Sequence, residues 1–215
     1  MLTATPITDR DTWNDLLRDL PTAHILQTWE WGNFKQRETG WQPQRIAFDR
    51  NGETVAAASV LTRRVGPLRV MYLPKGPALD YEDADLVAEI LTALERMARQ
   101  QRAIWLKIDP DVIAGTGIPA EGDHDPDAAA DHPAQENLTG SQVLETLRSR
   151  GWRFSESQVQ FRNTVTLDST RDEDAILMGM SQGTRRKVRT GPKKDVTVRP
   201  ASGPDDLQTL YELYT

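Results

Sequence analysis

Apolar positions recur along this chain with two periods. Trp13, Leu16, Leu17 and Leu20 fall at helical spacing, which predicts an amphipathic helix over Asp9–Leu20 after a short strand at Leu2–Pro6. Thr8 or Asp9 can cap it, and Asp11 favours its first turn. A second helix is expected over Thr28–Arg37, closed by Gly40. Two strand-like runs, Arg45–Asp49 and Glu53–Leu61, flank Asn51-Gly52 and predict a hairpin. Leu68–Leu73 follows as a third strand. Leu86, Val87, Ile90, Leu91, Leu94 and Met97 form one stripe and predict a long helix over Asp83–Arg102. Ala103–Ile108 reads as a buried strand after it.

The second half has weaker patterning. Ser141–Arg150 reads as a helix stopped by Gly151, and Phe161–Leu167 as a strand. Glu173–Met180 and Thr184–Thr190 read as short helices, with Pro192 closing the second. Asp195–Arg199 is expected to be a strand, and a last helix opens at Pro204 or Asp205. A helix, a meander of strands and a further helix make a mixed α/β (α+β) fold, not the repeated rhythm of a doubly wound sheet.

Charge changes the picture because it is segregated. The 215 residues carry 26 Lys and Arg against 32 Asp and Glu, a net charge of -6. Eight of the acids lie in Asp109–Glu136, a window without Lys or Arg; the rest of the chain carries +2. Its Pro, Ala and Gly content cannot bury enough apolar area to offset ordering, so a disordered insert is expected over about residues 109–139. His124 and His132 stand there among Asp123, Asp125 and Asp127, and a solvated acidic loop accounts for them better than a metal site. The opposite concentration is Arg185–Arg199, with seven basic residues and one acid. Arg185 and Arg189 at i, i+4 can share a helix face, and paired guanidinium groups suit a phosphate or pyrophosphate.

Absence of cysteine excludes a disulfide framework, a thiolate nucleophile and Cys-based metal sites. No apolar run approaches ~20 residues, which excludes a membrane-spanning helix. The polar first 12 residues do not read as a signal peptide. There is no Ser-His-Asp constellation, no GxxxxGK[ST] loop and no Gly-rich loop for acetyl-CoA; Arg99–Ala103 is basic but lacks the glycines.

The two ends of the chain match each other at an offset of 194 residues. Thr3, Pro6, Asp11 and Leu16 pair with Thr197, Pro200, Asp205 and Leu210. This suggests a first lobe over residues 1–194 and the first strand and helix of a second, truncated lobe over 195–215. The apolar positions of that last helix (Leu207, Leu210, Tyr211, Tyr214) would have little to pack on, so it is expected to be displaced, frayed or docked on the first lobe.

Three stretches stand out: Leu26-Gln27-Thr28-Trp29-Glu30-Trp31-Gly32-Asn33-Phe34-Lys35, then Tyr72-Leu73-Pro74-Lys75-Gly76-Pro77 with Asp80, and Thr184–Arg189 followed by Lys193–Val198. Together they resemble the FemABX family of tRNA-dependent aminoacyltransferases of peptidoglycan bridge synthesis. Asp195 stands where a glycine is usual, Gly191-Pro192 shortens the basic helix, and the acidic insert is extra. The resemblance implies a duplicated GNAT-like fold, with a mixed, largely antiparallel sheet flanked by helices. It implies transfer of Gly, Ala or Ser from aminoacyl-tRNA, as co-substrate and with no other cofactor, to the stem peptide of lipid II or UDP-MurNAc-pentapeptide. It also implies a cytoplasmic protein in peripheral contact with the inner membrane face. Lys35 with Trp31, Lys75 with Gly76, and Thr184, Arg185, Arg186 and Arg189 are the candidate phosphate and precursor contacts; no catalytic residue is assigned. Trp29 is a further stacking candidate, while Trp41 and Trp152 are better read as core and His24 as structural. The chain alone is expected to be inactive. Two other readings stay open: a GNAT-like acyltransferase with another envelope or polysaccharide acceptor, and a nucleic-acid-binding module using Arg185–Arg199.

Overall fold

The computed structural model describes residues 2–118, 133–164 and 168–214. The chain divides into two compact units, residues 1–160 and 161–215.

The first unit is built on a sheet of β1 (Leu2–Pro6), β2 (Gln42–Arg50), β3 (Glu53–Val65), β4 (Leu68–Leu73), β5 (Ala78–Leu79) and β6 (Ala103–Ile108). The order is β1-β2-β3-β4-β6, and β5 pairs with β3 beyond the end of β4. All pairings are antiparallel except β4 with β6. Asn51 and Gly52 both take positive φ, as the tight turn between β2 and β3 requires.

Helices cover both faces. Helix α1 (Arg10–Asp19) is capped by the Asp9 side chain, which accepts from the Thr12 amide. Helix α2 (Trp29–Thr39) is capped by Thr28 and closed by Gly40 in the left-handed region. Trp13 and Leu17 of α1 and Trp29 of α2 pack on Ala57 and Ala78 of one face. Helix α3 (Ala84–Gln100) lays Leu86, Val87, Ile90, Leu91 and Leu94 on the other, against Phe48, Ala56, Ala58, Val60, Met71 and Leu73. Alternation along β3 sends Ala56 and Ala58 to α3 and Ala57 to α1. Small residues there let both layers approach the sheet.

Helix α4 (Leu138–Ser149) begins earlier than the sequence suggests, because the Asn137 side chain caps it by accepting from the Gly140 amide. Arg150 donates two hydrogen bonds to Glu95 of α3 (3.0 Å each), and the Trp152 indole donates a third (2.9 Å). Burial raises the Glu95 carboxyl, but these donors outweigh it and hold the group below its ordinary value. A depressed carboxyl stabilises the fold above the ordinary glutamate range, and that share fades as pH falls through the folded value. Glu95→Gln should therefore cost about 1–2 kcal/mol at pH 7, with the gap to the wild type closing in urea titrations near pH 3. A gap that is the same at both pH values would deny the carboxylate this role.

The acidic window departs from expectation at both described ends. Asp109 and Asp111 are held by hydrogen bonds, and β7 (Gly115–Thr116) pairs with β8 (Gln135–Glu136). Backbone pairing and apolar contacts from Val112 to the core order these flanks despite their composition. Residues 119–132, with His124, His132 and Asp123–Asp127, lie outside the described residues. Strand β6 is a further correction: among the described residues it lies at the sheet edge, with Ile104 and Trp105 exposed.

The second unit carries α5 (Glu173–Met178), α6 (Gln182–Thr190), a 3-10 turn at Pro192–Lys194 and α7 (Pro204–Tyr214). The expected strand at Asp195–Arg199 does not form, since nothing among the described residues pairs with it, and Val198 is almost fully exposed. Residues 161–164 are not strand either, and 165–167 lie outside the described residues. Helix α7 is formed, with Leu207, Leu210, Tyr211 and Tyr214 exposed.

Candidate functional site

The site is assembled where β4 ends. Leu73 is followed by a Pro74–Pro77 turn in which Lys75 takes a φ of 49° and the Gly76–Pro77 peptide is cis. Two neighbours hold the turn. Asp109, just past the end of β6, accepts from the Lys75 amide (2.6 Å) and from the Tyr72 hydroxyl (2.7 Å). Gln27, ahead of α2, donates its side-chain amide to the Lys75 carbonyl. A Cβ on Gly76 would fall 2.8 Å from the Gln27 Nε2, so the glycine is what admits this clamp.

Gln27 is itself fixed. Its carbonyl accepts from the Trp13 indole (2.9 Å), and its Oε1 accepts from the His24 amide (3.0 Å). His24 reciprocates through Nδ1, which accepts from the Leu26 amide, so it is structural as expected. The capping box thus ties the α1–α2 connection to the Lys75 turn.

Lys75 Nζ forms an ion pair with Asp111 at 2.9 Å. Burial pushes the Asp109 carboxyl above its ordinary value and pushes the Tyr72 phenol well up. Tyr72 is thus a neutral hydrogen-bonding group, not a base. Its ring meets Trp41 at 6.4 Å between centroids, and Gln160 Nε2 reaches its hydroxyl at 3.4 Å.

Lys35 and Trp31 sit on α2, with the Lys35 ammonium 5.1 Å from the centre of the Trp31 ring. Phe34 joins the same cluster, 5.4 Å from Trp31. The Lys35 carbonyl also accepts from the Trp41 amide. A line of contacts runs from the Lys35 carbonyl through Trp41, Tyr72 and Asp109 to the Lys75 amide, linking the segments that carry two of the sequence-predicted pairs. Trp29 is not a free stacking surface: the Arg45 guanidinium lies 3.6 Å from its ring centre. Trp41 is half-buried, while Trp152 packs against the main core cluster as expected and its indole bonds to Glu95.

Thr184, Arg185, Arg186 and Arg189 lie on α6 of the second unit. Their roles differ. Arg185 donates to the carbonyls of Met178 (3.1 Å) and Met180 (2.7 Å), closing the end of α5. Thr184 shares a hydrogen bond with the Ser181 cap (2.9 Å). Arg186 and Arg189 are exposed.

Sequence reasoning missed Gln27, Tyr72 and Asp109. Asp109 was legible in one respect, since it directly follows the apolar run Ala103–Ile108. Among the described residues no cluster of three or more His, Asp or Glu is placed to hold a metal ion.

The FemAB family model matches residues 9–215. Lipid II:glycine glycyltransferase of Staphylococcus aureus is 28% identical over 202 residues, which cover 90% of this chain and 42% of that relative. The crystal structure of FemX superposes with a TM-score of 0.68 at 23% identity, over 98% of this chain and 48% of that one. The chain thus spans about half the length of these proteins and shares the FemX fold over that half. Motif, fold and family match coincide along nearly all of its length, and the chain belongs to the FemAB family.

Proposed function

We propose that this chain forms the precursor-binding half of an aminoacyltransferase of peptidoglycan bridge synthesis. The observation that carries the reading is the family match over residues 9–215. An amine of the stem peptide of lipid II or UDP-MurNAc-pentapeptide attacks the ester carbonyl of an aminoacyl-tRNA carrying Gly, Ala or Ser. The new amide forms, the ester bond breaks, the tRNA 3′ oxygen leaves and takes up a proton, and the amine gives one up. The ester is already activated, so the protein's work is proximity and charge stabilisation. No covalent enzyme intermediate is needed.

In this reading Lys35 and Lys75 face the precursor's phosphates, and Trp31 offers an aromatic wall beside Lys35. Gly76 is buried and serves by admitting the Gln27 clamp that holds the Lys75 turn, rather than by meeting the ligand itself. Arg186 and Arg189 of α6 are free to meet an anion, Thr184 supplies a hydroxyl at the helix start, and Arg185 keeps α6 in place. Residues 1–194 form the first lobe, and 195–215 begin a second. The protein works in the cytoplasm, in peripheral contact with the inner membrane face. Among the described residues no helix is long and apolar enough to cross a membrane.

Calorimetric titration of the chain with UDP-MurNAc-pentapeptide and with lipid II in detergent tests this. Binding to at least one precursor is expected, with Lys35→Ala weakening it about tenfold or more, the scale of one charge-assisted contact. No heat from either precursor would refute the reading.

A further inference from the structure

The hairpin tip between β3 and β4 has a composition unlike the rest of the first unit. Residues 61–73 contain three arginines, residues 96–107 contain three arginines and one lysine, and neither segment contains an acid. The whole chain is net negative, so this is a local reversal of sign. The fold brings the two segments together, because β4 pairs in parallel with β6. Arg64, Arg69 and Arg102 line a polar hollow of about 280 Å³ with Pro67, Gln100 and Gln101.

The same tip exposes large apolar side chains. Val65, Leu68, Ile104 and Trp105 are each 40–52% exposed. Val65 stands opposite Leu68, and Arg63 stands opposite Val70, which in turn neighbours Trp105. Strand alternation therefore places Val65, Leu68, Arg63 and Trp105 on one face, with Arg64 and Arg69 on the other. A hairpin tip with exposed apolar residues and arginines on both faces matches an interface: aliphatic groups enter the acyl boundary and guanidinium groups meet headgroup phosphates. A polynucleotide would use the arginines but has nothing to offer Val65, Leu68 and Ile104. Leu68 is also about 13 Å along β4 from Tyr72 at the candidate site, a span of four strand residues.

We infer that the β3–β4 tip, with the adjoining start of β6, docks on an anionic lipid bilayer. This extends the membrane-contact part of the proposed function and assigns it a surface. The absence of cysteine gives a direct test. Val65→Cys carries an environment-sensitive fluorophore at the tip, and Glu53→Cys carries it at the far end of β3. The probe is vesicles of phosphatidylglycerol and phosphatidylcholine, with pure phosphatidylcholine vesicles as the neutral comparison.

A blue shift at position 65 but not 53, seen with anionic vesicles only, is expected. Arg63→Gln and Arg64→Gln should each weaken sedimentation with those vesicles about fivefold, the equivalent of about 1 kcal/mol per basic residue at an anionic surface. Leu68→Ser should weaken it without changing the salt dependence. No shift at position 65, equal shifts at both positions, or unchanged sedimentation of the arginine variants would overturn the inference. So would loss of RNA binding in those variants with vesicle binding intact, which would make the tip a nucleic-acid surface. Vesicle binding is read without precursor or tRNA, so its failure is separable from failure of the transfer reading.

Discussion

Gly32→Ala should lower the stability of the chain by about 2–4 kcal/mol and weaken precursor binding with it. A Cβ at Gly32 falls 2.7 Å from Arg45 Nη2 and 3.1 Å from the Pro43 Cβ. The end of an arginine can usually swing aside, but this one cannot do so cheaply. Arg45 is 7% exposed, lies on the Trp29 ring, and donates from Nη2 to the Trp29 carbonyl and to Asn33 Oδ1, both at 2.9 Å. Burial draws its pKa down to about 10, so it remains a cation at neutral pH. Displacing it breaks two charge-assisted hydrogen bonds within the low-dielectric layer under α2.

A double-mutant cycle with Arg45→Met isolates the contact. The methionine removes the guanidinium that an alanine at position 32 strikes, so the double variant should be less destabilised than the summed singles by at least ~1 kcal/mol. Strict additivity in chemical denaturation would show that the two residues do not meet. Binding should follow stability, because α2 carries Trp31 and Lys35, and this arginine seats that helix on β2.

The contrast between Gly32 and Asp109 shows what was legible in the sequence. Local signals were faithful: Asp9 and Gly40 cap the helices they were expected to cap, and Asn51-Gly52 turns the hairpin. Those are short-range choices that a few consecutive residues decide. The Gly32–Arg45 fit, the Gln27 clamp and the Asp109 anchor each join segments 12 or more residues apart, and no local pattern encodes them. Composition also misled at Asp109. Averaged over 28 residues, the acidic window reads as solvated chain, yet its first member is held at the end of β6 by two donors. Ala103–Ile108 carries the apolar run of a central strand but is an edge strand among the described residues, since apolar content does not reveal which neighbours a strand has. For the same reason Asp195–Arg199 has strand-like residues and no ladder. The motif residues Lys35, Trp31, Lys75 and Gly76 were found as two separate pairs; the sheet is what connects them.

The Asp109 anchor yields the second large effect, and its sign depends on the replacement. Asp109→Ala leaves the Lys75 amide and the Tyr72 hydroxyl without their acceptor in a half-buried corner. At about 1–3 kcal/mol for each of the two abandoned donors, the loss should be about 2–6 kcal/mol. Lys75 would also be released from its positive-φ turn, so precursor affinity should fall alongside stability. Asp109→Asn behaves differently. Its side-chain oxygen can still accept from the Lys75 amide, and its NH2 can donate to the Tyr72 oxygen. Burial raises the folded carboxyl above its ordinary value, so the folded state binds this proton more readily than the unfolded chain does. The wild type is therefore stabilised at this position as pH falls through the raised value, and the charge is a burden above it. At neutral pH the asparagine variant should match or exceed the wild type in urea midpoint, and at pH 4 the wild type should gain on it. This is the opposite trend to Glu95, whose carboxyl is held down by Arg150 and Trp152. If asparagine proved as damaging as alanine at neutral pH, the negative charge itself would be the anchor. Lys75 and Lys107 would then outweigh the cost of burying it.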